Sequence, residues 1–144
     1  MPKLIFVNLP VADLAAAAAF YEAIGAANNP GFTDDTAACM VFSDTIHVML
    51  LTHDKFKQFT PRPVADAHAT SEVLIAISAD SRAGVDEITE KALAAGGREA
   101  RVKQDYGFMY SRSFEDLDGH IWEPFWMDVE AATAAAPQAE ASLA

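Results

Sequence analysis

Near the N-terminus the apolar positions change their spacing. Ile5, Val7, Leu9 and Val11 alternate with Phe6, Asn8, Pro10 and Ala12, and that period of two predicts a strand. Asp13 follows as a helix N-cap, and Leu14 to Ile24 then reads as an alanine-rich helix closed by Gly25. Thr36–Ser43 and Ile46–Thr52 predict two strands joined by a tight turn at Ser43-Asp44-Thr45, with room for a short strand within Ala26–Phe32 before them. Residues 53–70, which include Pro61 and Pro63, read as loop. The pattern then begins again. Glu72–Ala79 reads as a strand, and Asp80-Ser81 caps a helix that runs through Ala95 to Gly96-Gly97. Arg98–Lys103 predicts a short strand, and Gly107–Phe114 and His120–Met127 a hairpin across an acidic turn, where Gly119 supplies positive φ.

Strand, helix and three strands therefore occur twice. Asp13 and Asp80 stand 67 residues apart, and Asp44 and Asp118 stand 74 apart. A repeat of this kind decides the architecture. The expected fold class is α+β: two βαβββ modules, residues 1–68 and 69–128, in one domain of residues 1–128. The alanine-rich tail, residues 129–144, cannot bury much apolar surface and is expected to be helical to Ala136 at most.

Composition narrows the setting. A chain of 144 residues with 51% hydrophobic content suffices for one packed core. No apolar run is long enough to span a bilayer, and Met1-Pro2-Lys3-Leu4-Ile5-Phe6 leads into a strand with no secretory cleavage pattern. The single Cys39 has no partner for an internal disulfide, which points to the cytoplasm. A net charge of −11 repels phosphate backbones and anionic lipid, so neither nucleic acid nor membrane is the expected partner.

Chemistry concentrates in the segment SFEDLDGHIWEPFW, residues 113–126. Glu123 stands in an apolar strand, where an ionised group needs a metal, a base or a hydrogen-bond donor. It shares a strand face with Ile121 and Phe125, while Trp122 and Trp126 take the other. Pro124 lacks an N–H and marks an edge or a bulge. Tyr110 and Arg112 share one face; if that face is also Glu123's, Arg112 either binds a carboxylate or phosphate bidentately or pairs with Glu123. His47, His53, His68 and His120 show no metal-site spacing. His47 and His120 read as packing or surface residues turned away from positions 49 and 123. Cys39 reads as a core thiol, and no glycine-rich phosphate loop is present.

Three stretches together carry a family resemblance: Phe6-Val7-Asn8-Leu9-Pro10-Val11-Ala12-Asp13-Leu14, Phe20-Tyr21-Glu22-Ala23-Ile24-Gly25, and Asp116-Leu117-Asp118-Gly119-His120-Ile121-Trp122-Glu123. Over residues 3–128 the chain resembles the glyoxalase/bleomycin-resistance/extradiol-dioxygenase (vicinal oxygen chelate) superfamily, and in particular members regarded as predicted lactoylglutathione lyases. The resemblance implies two cupped sheets enclosing a small-molecule site, often in a homodimer. It also implies metal positions on the first and last strand of each module, which fall here on Phe6, Met49, Leu74 and Glu123. Phe6 and Leu74 coordinate no metal, and a methionine thioether suits Cu(I) rather than Mg, Mn, Ni, Zn or ferrous iron. The leading expectation is therefore a protein that binds a small molecule in an apolar cup without metal or other cofactor. Glu123 is its candidate catalytic or anchoring residue, and Phe6, Asn8, Met49, Leu74, Tyr110 and Arg112 are its candidate substrate-binding residues. The resemblance leaves two alternatives: a metal-dependent lyase or dioxygenase using ligands this carry-over misses, and a metal-free enzyme with Glu123 as general base.

Overall fold

Both long helices begin where a short polar side chain meets free N–H groups of the first turn. In the computed structural model, which describes residues 2–134, the Asp13 carboxylate accepts from the Ala16 N–H and the Ser81 hydroxyl from the Gly84 N–H. They start α1 (Leu14–Ala23) and α3 (Arg82–Ala94), flanked by strands β1 (Ile5–Val11) and β5 (Leu74–Ser78). After α1 come β2 (Ala27–Asn29), β3 (Ala37–Val41) and β4 (Ile46–Thr52). After α3 come β6 (Arg98–Glu99), β7 (Gln104–Asp105), β8 (Met109–Ser111), β9 (Phe114–Glu115) and β10 (Ile121–Met127). The alanine-rich segment beyond residue 134, and with it the expected helix end at Ala136, lies outside the described residues.

The repeat is borne out in topology. The first sheet runs β1-β4-β3-β2, with β1 and β4 parallel and the rest antiparallel. The second repeats that order once β8/β9 and β6/β7 are each counted as one interrupted strand: β5 lies parallel to β10, β8 and β9 pair β10, and β6 and β7 lie at the edge. This is the α+β, twice-βαβββ architecture that the sequence predicts. Two local features differ. Residues 53–70 contain a short helix, α2 (His53–Lys57), because the Thr52 hydroxyl accepts from the Lys55 N–H and opens a turn in a segment that otherwise reads as loop. The strand expected over Arg98–Lys103 breaks after Glu99, where Arg101 donates its N–H to the Ser113 hydroxyl instead of to a carbonyl on β9.

Each sheet has one helix-packed face and one open face. In the first, Leu9, Val11, Ala38, Met40, Val48 and Leu50 are buried on the helix side. They join Ala17, Phe20 and Tyr21 of α1, Ala92 of α3, Phe114 and Trp122 in one cluster. The two modules thus share a core. Each fully buried large apolar side chain there contributes roughly 1.5–3 kcal/mol of transfer free energy. Gly119 belongs to the same junction: its φ is +89°, and a Cβ on it would stand 2.7 Å from the backbone N of His68.

Polar contacts across this core fix the modules to each other. The Tyr21 hydroxyl donates to Asp116 Oδ2 at 2.5 Å and accepts from Trp122 Nε1–H at 2.9 Å. Asp116 Oδ1 accepts from the Asp118 and His120 N–H groups. Nearby, Ala12 N–H donates to Asp118 and the His120 Nε2 meets the Pro10 carbonyl at 2.8 Å. Burial raises the Asp116 carboxyl above its ordinary range, and it raises the Tyr21 phenol further from its own. Tyr21→Phe keeps the volume and strands two partners, so it should lower stability by about 1–3 kcal/mol. A carboxyl whose folded pKa is raised gives up stability as pH rises from its unfolded value toward that raised value. Losing the Tyr21 donor raises Asp116 further, so the deficit should be larger at pH 7 than at pH 4. Urea denaturation of both proteins at the two pH values measures it; an equal or smaller deficit at pH 7 contradicts the account.

Candidate functional site

Strand alternation decides which candidates can meet. On β10, Trp122 and Pro124 are buried against the helices, so Ile121, Glu123 and Phe125 turn to the open face. Their partners on β5 are Leu74, Ala76 and Ser78, and Leu74 is 54% exposed. On the first sheet the open face holds Phe6 and Asn8 of β1 beside His47 and Met49 of β4. Phe6, Asn8, Met49, Leu74 and Glu123 therefore all lie on open faces, in two groups on two sheets. No hydrogen bond among the described residues joins one group to the other.

Glu123 has a partner from its own module. The Arg101 guanidinium donates to Glu123 Oε2 at 2.6 Å, with the glutamate side chain 19% exposed. Oε1 accepts no hydrogen bond among the described residues. Arg101 reaches Glu123 because the edge strand breaks at that point and carries residue 101 across Ser113. Residue spacing gives no hint of this pairing, since Arg101 lies in a different strand segment.

Tyr110 and Arg112 share a face, as expected, but it is the opposite one from Glu123's. Tyr110 pairs across from Trp126, and its hydroxyl donates to Asp86 of α3 at 2.6 Å. Arg112 donates to Asp86, Glu90 and Glu99 at 3.1, 2.9 and 2.9 Å, with its side chain only 11% exposed. Glu99, Glu90 and Asp86 together hold the guanidinium more firmly protonated than usual, and Tyr110 with Arg112 lowers the Asp86 carboxyl. These residues, with Arg101, Val102 and Lys103, line an open groove of about 920 Å³ between α3 and the sheet edge, in which Arg112 is already surrounded by carboxylates. Arg112 is thus engaged by α3 and the edge strand and is not turned toward Glu123.

The facing of His47 also differs from expectation. It stands two residues before Met49, so it lies on the same open face, stacked on Phe6 with ring centroids 4.4 Å apart and planes 15° apart. Cys39 is buried opposite Met49, and desolvation raises its thiol pKa, in keeping with a packed thiol.

The four positions where the resemblance places a metal do not fit one. Phe6 is stacked on His47, Leu74 is a hydrocarbon, Met49 is a soft thioether, and Glu123 is paired with Arg101. Among the described residues no three His, Cys, Asp or Glu side chains cluster as a metal would need.

With this geometry in view, comparison with known proteins defines the class. The chain has the fold of glyoxalase/bleomycin resistance/dioxygenase family proteins. It superposes on such an enzyme from Burkholderia phytofirmans PsJN with a TM-score of 0.71 at 16% identity, covering 88% of this chain and 99% of that one. A hypothetical protein from S. aureus gives a TM-score of 0.73 at 25% identity, over 88% and 94% of the two chains. A genomically encoded fosfomycin resistance protein from Listeria monocytogenes gives 0.64 at 21% identity, over 90% and 97%. Within that class, residues 3–43 match the family model of the bleomycin resistance protein-like N-terminal domain. The resemblance read from the sequence is borne out by both findings. No curated protein matches the chain by sequence.

The arrangement around Arg112 generates a test. Arg112→Met keeps the stem and leaves Asp86, Glu90 and Glu99 without their shared cation. The loss of these charge-assisted bonds, discounted for the exposure of the carboxylates, should lower stability by about 1–3 kcal/mol. Added salt should narrow the deficit by screening the remaining carboxylates. Denaturation at low and high ionic strength measures both; an unchanged stability contradicts the pairing.

Proposed function

We propose that this protein binds a small molecule on the open sheet faces through apolar contacts and one polar anchor, the Glu123–Arg101 pair, without a metal ion. The supporting observation is the position of that pair. It is a charged donor–acceptor set on an open face that also carries Leu74, Ala76, Ser78, Ile121 and Phe125, and Glu123 Oε1 accepts no hydrogen bond among the described residues. Mostly apolar lining with a few convergent polar groups is the usual make-up of a ligand site. The pair favours anchoring over general-base chemistry, because the guanidinium already occupies one carboxylate oxygen. The solved structures that share this fold include a fosfomycin resistance protein, which is in keeping with a role toward a small molecule.

The two open groups, Phe6 with Asn8 and Met49 on one sheet and Leu74 with Glu123 on the other, would face a common ligand if two copies paired. We therefore expect a homodimer, with a sedimentation mass near twice 15.5 kDa at micromolar concentration. A species of 15.5 kDa would count against this part of the reading.

Thermal melts test the anchor. A fragment screen should yield ligands that raise the wild-type melting temperature, and Glu123→Gln should bind them more weakly by about 1.5–3 kcal/mol through the lost charge-assisted bond. Ni, Zn, Mn and ferrous salts should leave the melt unmoved. Hits that stabilise Glu123→Gln as well as the wild type would remove the anchor role, and a metal-dependent rise in melting temperature would restore the lyase or dioxygenase alternative.

A further inference from the structure

Small buried hydroxyls lie on the open face of the second sheet, beside the Glu123–Arg101 pair. β8 and β9 share one register along β10, and between them the Arg112 N–H donates to the Pro124 carbonyl. Ser111 therefore stands opposite Phe125 and Ser113 opposite Glu123, all on the open face. Ser111 is 5% exposed and Ser113 0%. On their far side lie Gln104, paired with Ser111, and Arg101, whose N–H donates to the Ser113 hydroxyl. The two serines are thus the floor of a trench. Phe125 and Glu123 form one wall, Gln104 and Arg101 the other, two strand spacings or about 10 Å apart. The Arg101–Glu123 bond crosses over Ser113 and closes that end. Over Ser111 the polar groups are not satisfied by the protein. The Ser111 hydroxyl has no hydrogen-bond partner among the described residues and is not enclosed. The Gln104 carboxamide meets only the Tyr106 hydroxyl there, at 3.3 Å, and Arg101 donates to Glu123 through Nη2 alone. Buried polar groups are normally paired, so an unpaired hydroxyl at the floor calls for a partner from outside.

We infer that the trench over Ser111 takes a neutral polyhydroxylated ring of pyranose type, with its C–H side against Phe125 and its hydroxyls on Ser111, Gln104 and the Glu123–Arg101 pair. This deepens the proposed function and rests on the reading of this open face as a ligand site. Glu123 Oε1 needs a donor, while the spare N–H groups of Arg101 and Gln104 need acceptors. Neighbouring hydroxyls on one ring supply both. Strand positions two apart stand about 7 Å from each other, so one sugar ring against Phe125 reaches Glu123 with its outer hydroxyls. The electron-rich face of Phe125 suits the polarised C–H groups of such a ring. Ion pairs on this face, Glu123–Arg101 and Glu115–Arg98, compensate themselves, so a charged ring gains no counterion from them. A hydrocarbon ring of the same shape would displace water from these groups without replacing its bonds, and so loses affinity.

Methyl pyranosides of gluco, galacto and manno configuration are the probes, since together they present neighbouring hydroxyls in trans and in both cis arrangements. Methoxycyclohexane, which keeps the ring and lacks the hydroxyls, is the control. In a nuclear magnetic resonance titration of the full chain, at least one pyranoside should shift the Gln104 side-chain NH2 signals and the Ser111 backbone N–H. Ser111→Ala removes the floor hydroxyl and adds no bulk. Affinity for that pyranoside should then fall roughly fivefold, the scale of one neutral hydrogen bond. Gln104→Met, on the half-buried wall, should weaken it to a similar extent and gives the same reading if Ser111→Ala folds poorly. The inference is overturned if no pyranoside of the panel moves the Gln104 and Ser111 signals, or if both variants bind as well as the wild type. It is also overturned if methoxycyclohexane binds as tightly as the pyranosides, or if the glucuronate or glucosamine analogue binds more tightly than the neutral sugars. Glu123→Gln separates this inference from the reading it rests on. Fragment hits that need Glu123, beside an inert pyranoside panel, leave the proposed function standing and remove the sugar site alone. Fragments and pyranosides alike indifferent to Glu123→Gln remove the anchor and this inference with it.

Discussion

A carboxylate taken out of water must be met by donors, and the way Asp116 is met orders much of this molecule. It is 4% exposed and accepts from Tyr21 of the first module and from two N–H groups of its own turn. Trp122 then closes the network by donating to the same tyrosine oxygen. Every polar atom in the set has a partner, and only under that condition does a buried network stabilise and not weaken a core. Tyr21 lies on the buried side of α1, and Trp122 points to the helix side of β10. The network therefore sets which face of each sheet turns inward. Phe20 against Phe114 and Phe42 against Trp122 fill the space around it.

The inward choice fixes the outward one. With Trp122 and Pro124 committed to the core, the period of two leaves Glu123 no other face. The same rule puts Tyr110 and Arg112 under α3, where acidic residues of that helix and of the sheet edge take up their donors. Charges thus sort by face. Three carboxylates gather around Arg112 on the helix side, while the open face of the second sheet keeps Glu123 with Arg101 and that of the first keeps none within its strands. For a chain this acidic, an uncharged sheet face is a local property that net charge does not reveal.

Much of the fold was legible because it depends on local rules. Caps at Asp13 and Ser81, a glycine at the acidic turn and two rounds of alternating apolar residues specify the elements, and their repetition specifies the topology. The short helix after Thr52 escaped because prolines further along dominate the reading of that segment. Face assignments within a strand were legible wherever the strand is regular: Tyr110 and Arg112 do lie together, and Glu123 does oppose Trp122. Which face is the open one was not legible, because it is set by the helix packed on the sheet and not by the strand itself. The partner of Glu123 lay further out of reach, since Arg101 arrives through a break in the edge strand. His47 was misplaced for a simpler reason: two residues from Met49 means the same face.

Glu123 occupies a position where the resemblance implies a metal ligand, and its surroundings show how a carboxylate is held there by a side chain of the same module. A carboxylate on a half-apolar face needs a cation nearby, and a guanidinium meets that need as a metal would. A guanidinium and an ion differ in the chemistry they supply. A divalent ion polarises two substrate oxygens at once and leaves coordination sites open, whereas Arg101 offers directed N–H donors and consumes one carboxylate oxygen. Arg101 and Glu123 thus present a donor and an acceptor side by side on the open face. Phe6, where the resemblance implies a ligating side chain, offers no donor atom. Its ring stacks on His47, so that position makes a flat apolar contact within the sheet face and not a coordination bond.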